Sequence, residues 1–443
     1  MNQEERTKAF GDLSVRLARF YKGKINTVPN VPIRKYSDFS VWYTPGIADV
    51  SKNIAQDPEE SFDLTGRWNS VAILTDGTRV LGLGNIGPEA AMPVMEGKAL
   101  LFNFLGGVNA IPIPIKVKNQ EEFFTVASAL EPSFGGFNLE DIESPKCFFL
   151  LESLQKALNI PVWHDDQLGT ASIILAGLLN SLKITGKKRE DVRVTLLGSG
   201  AANVATAYLL EAAGFKMGNI IMVDSHGILE PDREDMDRLM ITNPWKYRLA
   251  MITNSERRIG ATENSFRDAD IVVSAAKSDP DFIHGEWIRT MASDPVVFAL
   301  ANPNPEIWPE KAREYGARIV ATGRGDFPNQ INNSLVFPAV FRGVLDARSR
   351  GVNFRVMVKA AEEIANYVKD PQPDRIVPTM EDLDMYPKVA SAVAYSTVEE
   401  KLSRKPDSRE GFYRKAMEVI DTNRERYNKL LESGIIKAGE NIE

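Results

Sequence analysis

Four carboxylates fall in two adjacent pairs, Glu140–Asp141 and Asp165–Asp166. The first pair lies in FGGFNLEDIESP, where Ser144–Pro145 is expected to open a helix, with Ser144 as N-cap and Pro145 at the first helical position. The second pair follows the strand-like run IPVW and again precedes a helical pattern. Asp141 and Asp166 are separated by the length of one helix and one strand. In a parallel sheet both pairs therefore reach the same carboxyl edge, where open α/β sheets place ligands. Carboxylates gathered there repel one another unless a cation stands among them, and three of them with substrate oxygens and water suit magnesium or manganese. With one cysteine and three histidines in the chain, a thiolate-rich zinc site is excluded. Helix caps and solvated loop acids remain the alternative for any single residue; two pairs at matched positions favour the metal.

Two glycine-rich segments match or nearly match G-x-G-x-x-G. In the second, Gly198-Ser199-Gly200-Ala201-Ala202-Asn203, the strand VRVTLL runs into the glycines and the helix AANVATAYLLEAAG runs out of them. The next strand, NIIMV, ends at Asp224, where an acid meets a ribose hydroxyl in dinucleotide folds. Gly198 makes the tight turn, Gly200 admits the pyrophosphate, and Ala201 and Ala202 open the helix whose N-terminus favours its charge. Asn203 stands where a small residue usually permits close helix–strand packing. His226, just beyond Asp224, is placed to meet a 2′-phosphate. An ordinary βαβ turn is the competing reading. The first segment, Gly82 to Gly87, has no acid at the expected distance and is followed by Pro88. It reads as a tight loop near a substrate.

Other side chains suit proton transfer or anion binding. Lys98 sits among apolar neighbours in PVMEGKALLFNF, and burial there is expected to lower its pKa and make it a usable base. A lysine snorkelling from an amphipathic helix gives the same pattern. Tyr43, in VWYTPG, reads equally as a core or turn tyrosine. Arg79, in TDGTRVLGLG, suits bidentate binding of a carboxylate or a surface position. Asn302 and Asn333 fit turns or polar contacts to ligand.

The elements that must position these residues alternate as short apolar strands and longer helical patterns, an α/β signature. Strands are expected near 71–74, 110–115, 160–163, 192–197, 220–223, 271–274, 296–299 and 318–321. Helices are expected near 89–104, 121–130, 145–158, 169–182 and 201–213. After Asn332 the chain turns helical, interrupted by a Pro-rich loop at 370–387, and from about Arg409 it is a charged surface helix. The expected division is an N-terminal substrate domain at 1–164, a dinucleotide domain at 165–332, and a helical segment at 333–443 packing back on the first. The 443 residues, 43% of them hydrophobic, supply material for more than one core. A net charge of −7 makes the chain a poor candidate for sequence-independent nucleic-acid binding, which needs a basic face. The charged N-terminus lacks a signal-type apolar core, and no run has the length of a membrane span. The lone Cys147 fits a reducing, cytoplasmic setting.

In combination, YTPG, TDGTRVLGLGNIGPEAAMPVMEGKALLF, FGGFNLEDI, HDDQLGTA and ATGRGDFPNQINN resemble the malic enzyme family, its short prokaryotic-type members in particular, from about residue 20 to 350. The resemblance implies a doubly wound Rossmann-type NAD(P) domain beside an α/β substrate domain with a helical C-terminal segment. It implies oxidative decarboxylation of L-malate to pyruvate and carbon dioxide, with reduction of NAD or NADP and a bound Mg2+ or Mn2+. Residue by residue, it makes Tyr43 the general acid and Lys98 the general base, paired with Asp165. Glu140, Asp141 and Asp166 become metal ligands. Arg79, Asn302 and Asn333 hold substrate, and Asn302 also borders the cofactor. Asp224 tips the expectation towards NAD, and the resemblance implies a homodimer or higher oligomer. Leu168, where short relatives often carry a polar residue, and Asn203 are departures.

Three other readings compete. Malolactic chemistry uses the same site without net cofactor reduction. Amino-acid dehydrogenases pair Lys with Asp but need no metal, so the acid pairs argue against them. A binding protein with lost chemistry is disfavoured by retention of Tyr43, Lys98 and all three acids.

Overall fold

The computed structural model describes residues 3–437 and 439. The outermost residues of the expected first and last segments (1–2, 438 and 440–443) lie outside the described residues. Two parallel sheets organise the chain. The first has the order β2-β1-β3-β4, built from β1 (Ser70–Thr75), β2 (Asn109–Pro114), β3 (Gly136–Leu139) and β4 (Val162–His164). The second has the order β10-β9-β8-β5-β6-β7. Its strands are β5 (Val194–Leu197), β6 (Ile220–Asp224), β7 (Gly227–Ile228), β8 (Ile271–Ser274), β9 (Val296–Ala299) and β10 (Ile319–Thr322), all parallel except the β6–β7 pair. Most of the central strands are short, predominantly apolar runs such as Val71–Leu74 and Val296–Ala299, buried throughout, while the edge strand β2 is only partly buried. That pattern belongs to parallel sheets covered on both faces.

The Thr170–Thr185 helix, entered through a π-type turn at Asp165–Gly169, follows the first sheet and leads to the second. The 165–185 stretch is long and apolar enough in composition to cross a membrane. Here it is a core helix, buried from Ala171 to Leu182 and packed on the Ala201–Ala212 and Phe354–Tyr367 helices. Its Asn180 amide donates to the carbonyls of Ala365 and Ile376, tying the C-terminal region to it.

The C-terminal helices do pack back on the first sheet's layer. Phe337–Asp346 and Arg409–Glu432 both lie against the Pro88–Gly106 helix. Phe337 stacks on Phe102, and Asn423 donates to the Asn103 carbonyl. The last helix is charged, as its sequence indicates. It also buries a stripe of Phe412, Ala416 and Ile420, so it is half core and half surface. The Pro-rich loop ends earlier than expected, because Met385–Glu399 is helical with Pro387 in its first turn, where a missing N–H costs nothing. Ser144–Pro145 likewise lies outside the next helix, which begins at Lys146.

The N-terminal region stands apart. No described residue from 5 to 61 is buried, although Phe10, Phe20, Val28, Trp42 and Tyr43 are among them.

Candidate active site

Strands β1, β3 and β4 end side by side, and the acids follow at once. Glu140 N–H donates to the Leu74 carbonyl, extending the ladder by one residue beyond β3. Asp141 then takes a left-handed conformation, φ 53°, rare for a side-chain-bearing residue and frequent where function fixes the backbone. Its N–H donates to Asp166 Oδ2 at 3.1 Å. One carboxylate oxygen each from Glu140, Asp141 and Asp166 lie within 4.8 Å of one another. Asp141 Oδ2 is buried without a hydrogen-bond partner.

Asp165 faces Lys98. Its Oδ1 accepts from Trp163 Nε1 at 3.0 Å, and its Oδ2 pairs with Lys98 Nζ. Gly169 makes this possible: a Cβ there would stand 2.0 Å from Asp165 Oδ1. The π-type turn brings Gly169 back over the carboxylate, and such turns recur at functional sites.

Lys98 is buried in the Pro88–Gly106 helix, 2.5 Å from Glu140 Oε1 and also bonded to Asp165. Glu140 Oε2 accepts from Asn138 Nδ2 at 2.9 Å. The expectation that burial leaves Lys98 with a lowered pKa is corrected here. Burial does pull it down, but the Asp165, Glu140 and Asp166 carboxylates outweigh it and hold the amine well above its ordinary range. The acids show the converse. Burial raises Glu140, Asp165 and Asp141, and Asp166 adds repulsion that takes Asp141 up to about 7. Four carboxylates face one ammonium, so the site carries uncompensated negative charge. A divalent cation among Glu140, Asp141 and Asp166 relieves it, and the all-oxygen donor set fits magnesium or manganese. His164 is fully buried with neither ring nitrogen hydrogen-bonded, and burial takes its pKa down to about 4, so the ring is neutral.

Of the further expected residues, Arg79 and Asn333 border this centre, Asn302 lies at the second sheet's edge and Tyr43 stays outside it. Arg79 is exposed; its N–H donates to the Asp141 carbonyl, and its side chain bonds to no described residue. The loop from Gly82 to Gly87 contributes no dinucleotide turn. It lies against the second sheet's edge, since a Cβ on Gly82 would stand 3.4 Å from the Asn302 carbonyl. Asn302 is thus at the junction of the two sheets' edges. Asn333 borders the Asp165–Gly169 turn, its Cβ 3.2 Å from where a Gly169 side chain would begin. Tyr43 is 69% exposed and makes no side-chain hydrogen bond to a described residue. Its short helix packs chiefly on the turn before it.

The second sheet carries the dinucleotide turn as expected. Gly198, at φ 92°, is pressed against Ala275 and Ala276, where a Cβ would meet backbone at 2.8 Å. Gly200 is exposed with nothing near its Cβ position, and the Ala201–Ala212 helix that follows has no side-chain cap. Its free N–H groups suit a pyrophosphate. Asn203 is no packing defect. Its amide donates to the carbonyls of Leu197 and Gly198 at 2.9 Å each, holding the turn closed from beneath. Leu168 is buried in the core, which accounts for its apolar character. Asp224 ends β6 as predicted, but it is no free acceptor. Oδ1 takes the His226 N–H and Arg233 Nη1, while Oδ2 takes Arg233 Nη2 and Lys246 Nζ. These four bonds use a carboxylate's capacity and hold its pKa down against burial. The acid on which the lean to NAD rests is therefore already occupied.

Residues 22–155 match the malic enzyme N-terminal domain and residues 168–400 the malic enzyme NAD binding domain. The chain belongs to the malic enzyme family. The bifunctional malic/malolactic enzyme of Bacillus subtilis is 43% identical over 88% of this chain and 94% of its own. The NADP-dependent malic enzyme of Halomonas elongata is 39% identical over 87% and 92%. The crystal structure of Entamoeba histolytica malic enzyme superposes with a TM-score of 0.94 at 37% identity, covering 99% of this chain and 92% of that one. Two residues of this malic enzyme site escape motif reading. Asn138 and Trp163 each precede by two positions the acid they bond, so alternation along a strand is the only signal they leave.

Proposed function

We propose that this chain oxidises L-malate and decarboxylates it to pyruvate and carbon dioxide, reducing NAD or NADP. The observation that carries this reading is Lys98, held by Glu140 and Asp165 beside the Glu140–Asp141–Asp166 cluster. When bound, Mg2+ or Mn2+ supplies a Lewis acid against the substrate oxygens and the nicotinamide supplies the hydride acceptor. Lys98, in its neutral form, takes the proton of the C2 hydroxyl, and Asp165 holds the resulting ammonium in place. Arg79 pairs with a substrate carboxylate, and Asn302 and Asn333 orient the molecule. Tyr43 delivers the proton to C3 after carbon dioxide leaves. Gly198, Gly200, Ala201 and Ala202 receive the dinucleotide.

The exposure of Tyr43 supports a homodimer in which each protomer's N-terminal segment lies against the other's site. That arrangement covers the apolar side chains of residues 10–47 and brings a phenolic proton donor to a centre whose own carboxylates are bonded to Lys98 or gathered at the metal cluster. Mixing Lys98→Ala and Tyr43→Phe proteins then restores part of the activity each lacks. No recovery after subunit exchange means that Tyr43 serves its own chain. The division at 164 and 332 is the domain organisation proposed. The cytoplasm is the proposed compartment, supported by the buried, unpaired Cys147.

The test is reduced-cofactor absorbance on adding malate and manganese, with NAD and NADP in parallel and a chelator control. Chelator-sensitive reduction with pyruvate as product is expected; no reduction with either dinucleotide overturns the proposal. Malolactic activity is a second reading, favoured by the name of the Bacillus subtilis relative, and lactate without reduced cofactor identifies it.

A further inference from the structure

Glu306 is a buried acid outside the metal cluster. It is fully enclosed, yet no Lys, Arg or His among the described residues pairs with it. Its carboxylate is held by dipoles alone. Oε1 accepts from Ser274 Oγ at 2.8 Å and from the Ala276 N–H at 2.9 Å, and Oε2 accepts from the Ala301 N–H at 3.1 Å. All three bonds are donated to the carboxylate and favour its ionised form, while burial, the larger effect, leaves its pKa above the ordinary carboxylate range. Burial without a cation is expensive, and both oxygens of the carboxylate are used to accept the three donors.

The loops it joins define where that charge acts. Ser274–Ala276 follows β8 and Leu300–Asn302 follows β9, both at the carboxyl edge. Ala275 and Ala276 form the wall against Gly198. The dinucleotide crosses this edge from the switch point beside β5, and its adenosine half belongs over β6, where Asp224 stands. Its nicotinamide half therefore belongs over β8 and β9, above Glu306. The same side faces the Gly82 loop and the metal cluster, where a substrate must present its hydride.

We infer that the Glu306 carboxylate is a fixed negative charge beneath the nicotinamide, favouring the oxidised, cationic ring over the reduced, neutral one. This rests on the dinucleotide reading of the second sheet given above. A dehydrogenase gains from such a charge in capturing its oxidised cofactor, since the neutral reduced ring feels no matching attraction. For charges about 10 Å apart at an effective dielectric near 20, the preference is of order tenfold.

Calorimetric titration of the full-length protein with NAD+, NADH and ADP-ribose separates this from a purely structural role. Glu306→Gln keeps the volume and removes the charge, with its new amide NH2 facing one of the former donors; the ADP-ribose arm reads any loss that this causes. It is expected to weaken NAD+ about tenfold relative to NADH, with NADH and ADP-ribose changing alike. Glu306→Asp keeps the charge and is expected to keep the wild-type ratio within about twofold. Equal weakening of NAD+ and NADH in Glu306→Gln overturns the inference and leaves Glu306 a loop staple. Should that variant not fold, Ser274→Ala decides. It strips one donor from the carboxylate and so disfavours its ionised form, and the ratio should move towards NADH. A shift towards NAD+, or equal loss of both, overturns the inference. Failure of the wild type to bind NAD+, NADH, NADP+ or NADPH overturns the dinucleotide reading itself, and this inference with it.

Discussion

Replacing Lys98 by methionine removes the ammonium that, among the described residues, pairs with a cluster of four acids, while nearly keeping the side-chain volume. Lys98 bonds Glu140 and Asp165, and all three side chains are at least nine-tenths buried. Taking one partner from a buried ion pair costs about 3–5 kcal/mol. The lower end applies here, because Glu140 keeps its bond from Asn138 and Asp165 keeps its bond from Trp163. A cation at Glu140, Asp141 and Asp166 compensates the same charge that the ammonium does. The two therefore compete, and K98M should bind Mn2+ more tightly. If the metal recovers half of about 3 kcal/mol, affinity rises about tenfold. Turnover should fall by at least about 100-fold with loss of the base. Mn2+ binding by calorimetry at pH 8, together with urea unfolding in chelator and in Mn2+, measures both sides. The expected result is a variant markedly less stable than wild type in chelator and closer to it in Mn2+. Weaker Mn2+ binding by K98M, with the same stability loss in both conditions, would refute the reasoning and make Lys98 an organiser of the acids.

Four further outcomes follow from the same geometry. Asp141→Asn should lower Mn2+ affinity by about 10- to 100-fold and leave NADH binding unchanged, as titration of both ligands will show. Gly169→Ala should cost more activity than its one methyl suggests, because its Cβ displaces Asp165; a turnover within twofold of wild type counts against that close approach. Asn203→Ala leaves the Leu197 and Gly198 carbonyls without their donor. It should destabilise the protein by about 1–3 kcal/mol in urea and weaken dinucleotide binding. Cys147, its thiol pushed by burial up to about 12, should resist iodoacetamide at pH 8 until the protein unfolds, since only about one thiol in 10,000 is then ionised.

Much of this site was legible in sequence because its parts are local. The acid pairs follow strands directly, and spacing alone puts them on one sheet edge. The dinucleotide turn is a strand, three or four residues and a helix. Gly82 to Gly87 was separable from it because no second strand and acid follow. What stayed hidden depends on partners distant in sequence. Asp224 occupies its expected place, but Arg233 and Lys246, which fill its lone pairs, lie 9 and 22 residues further on in segments with no motif. Asn203 looked like a departure because bulk was counted and hydrogen bonds were not. Glu306 follows an Asn-Pro-Asn-Pro run that reads as a turn, and nothing in that run announces a fully buried charge.

Lys98 shows why electrostatic state is the last property to emerge. Its helix alone predicts burial, and burial alone predicts a lowered pKa. Three carboxylates, brought from sequence positions more than forty residues downstream, reverse the sign. The same residue that reads as a ready base in one segment is a tightly held ammonium once the sheet edge is assembled. Its use as a base therefore requires that positive charge arrive among Glu140, Asp141 and Asp166. Binding of a metal by Glu140, Asp141 and Asp166 and readiness of Lys98 as a base would then be one event, because the cation would share the charge that now holds the ammonium.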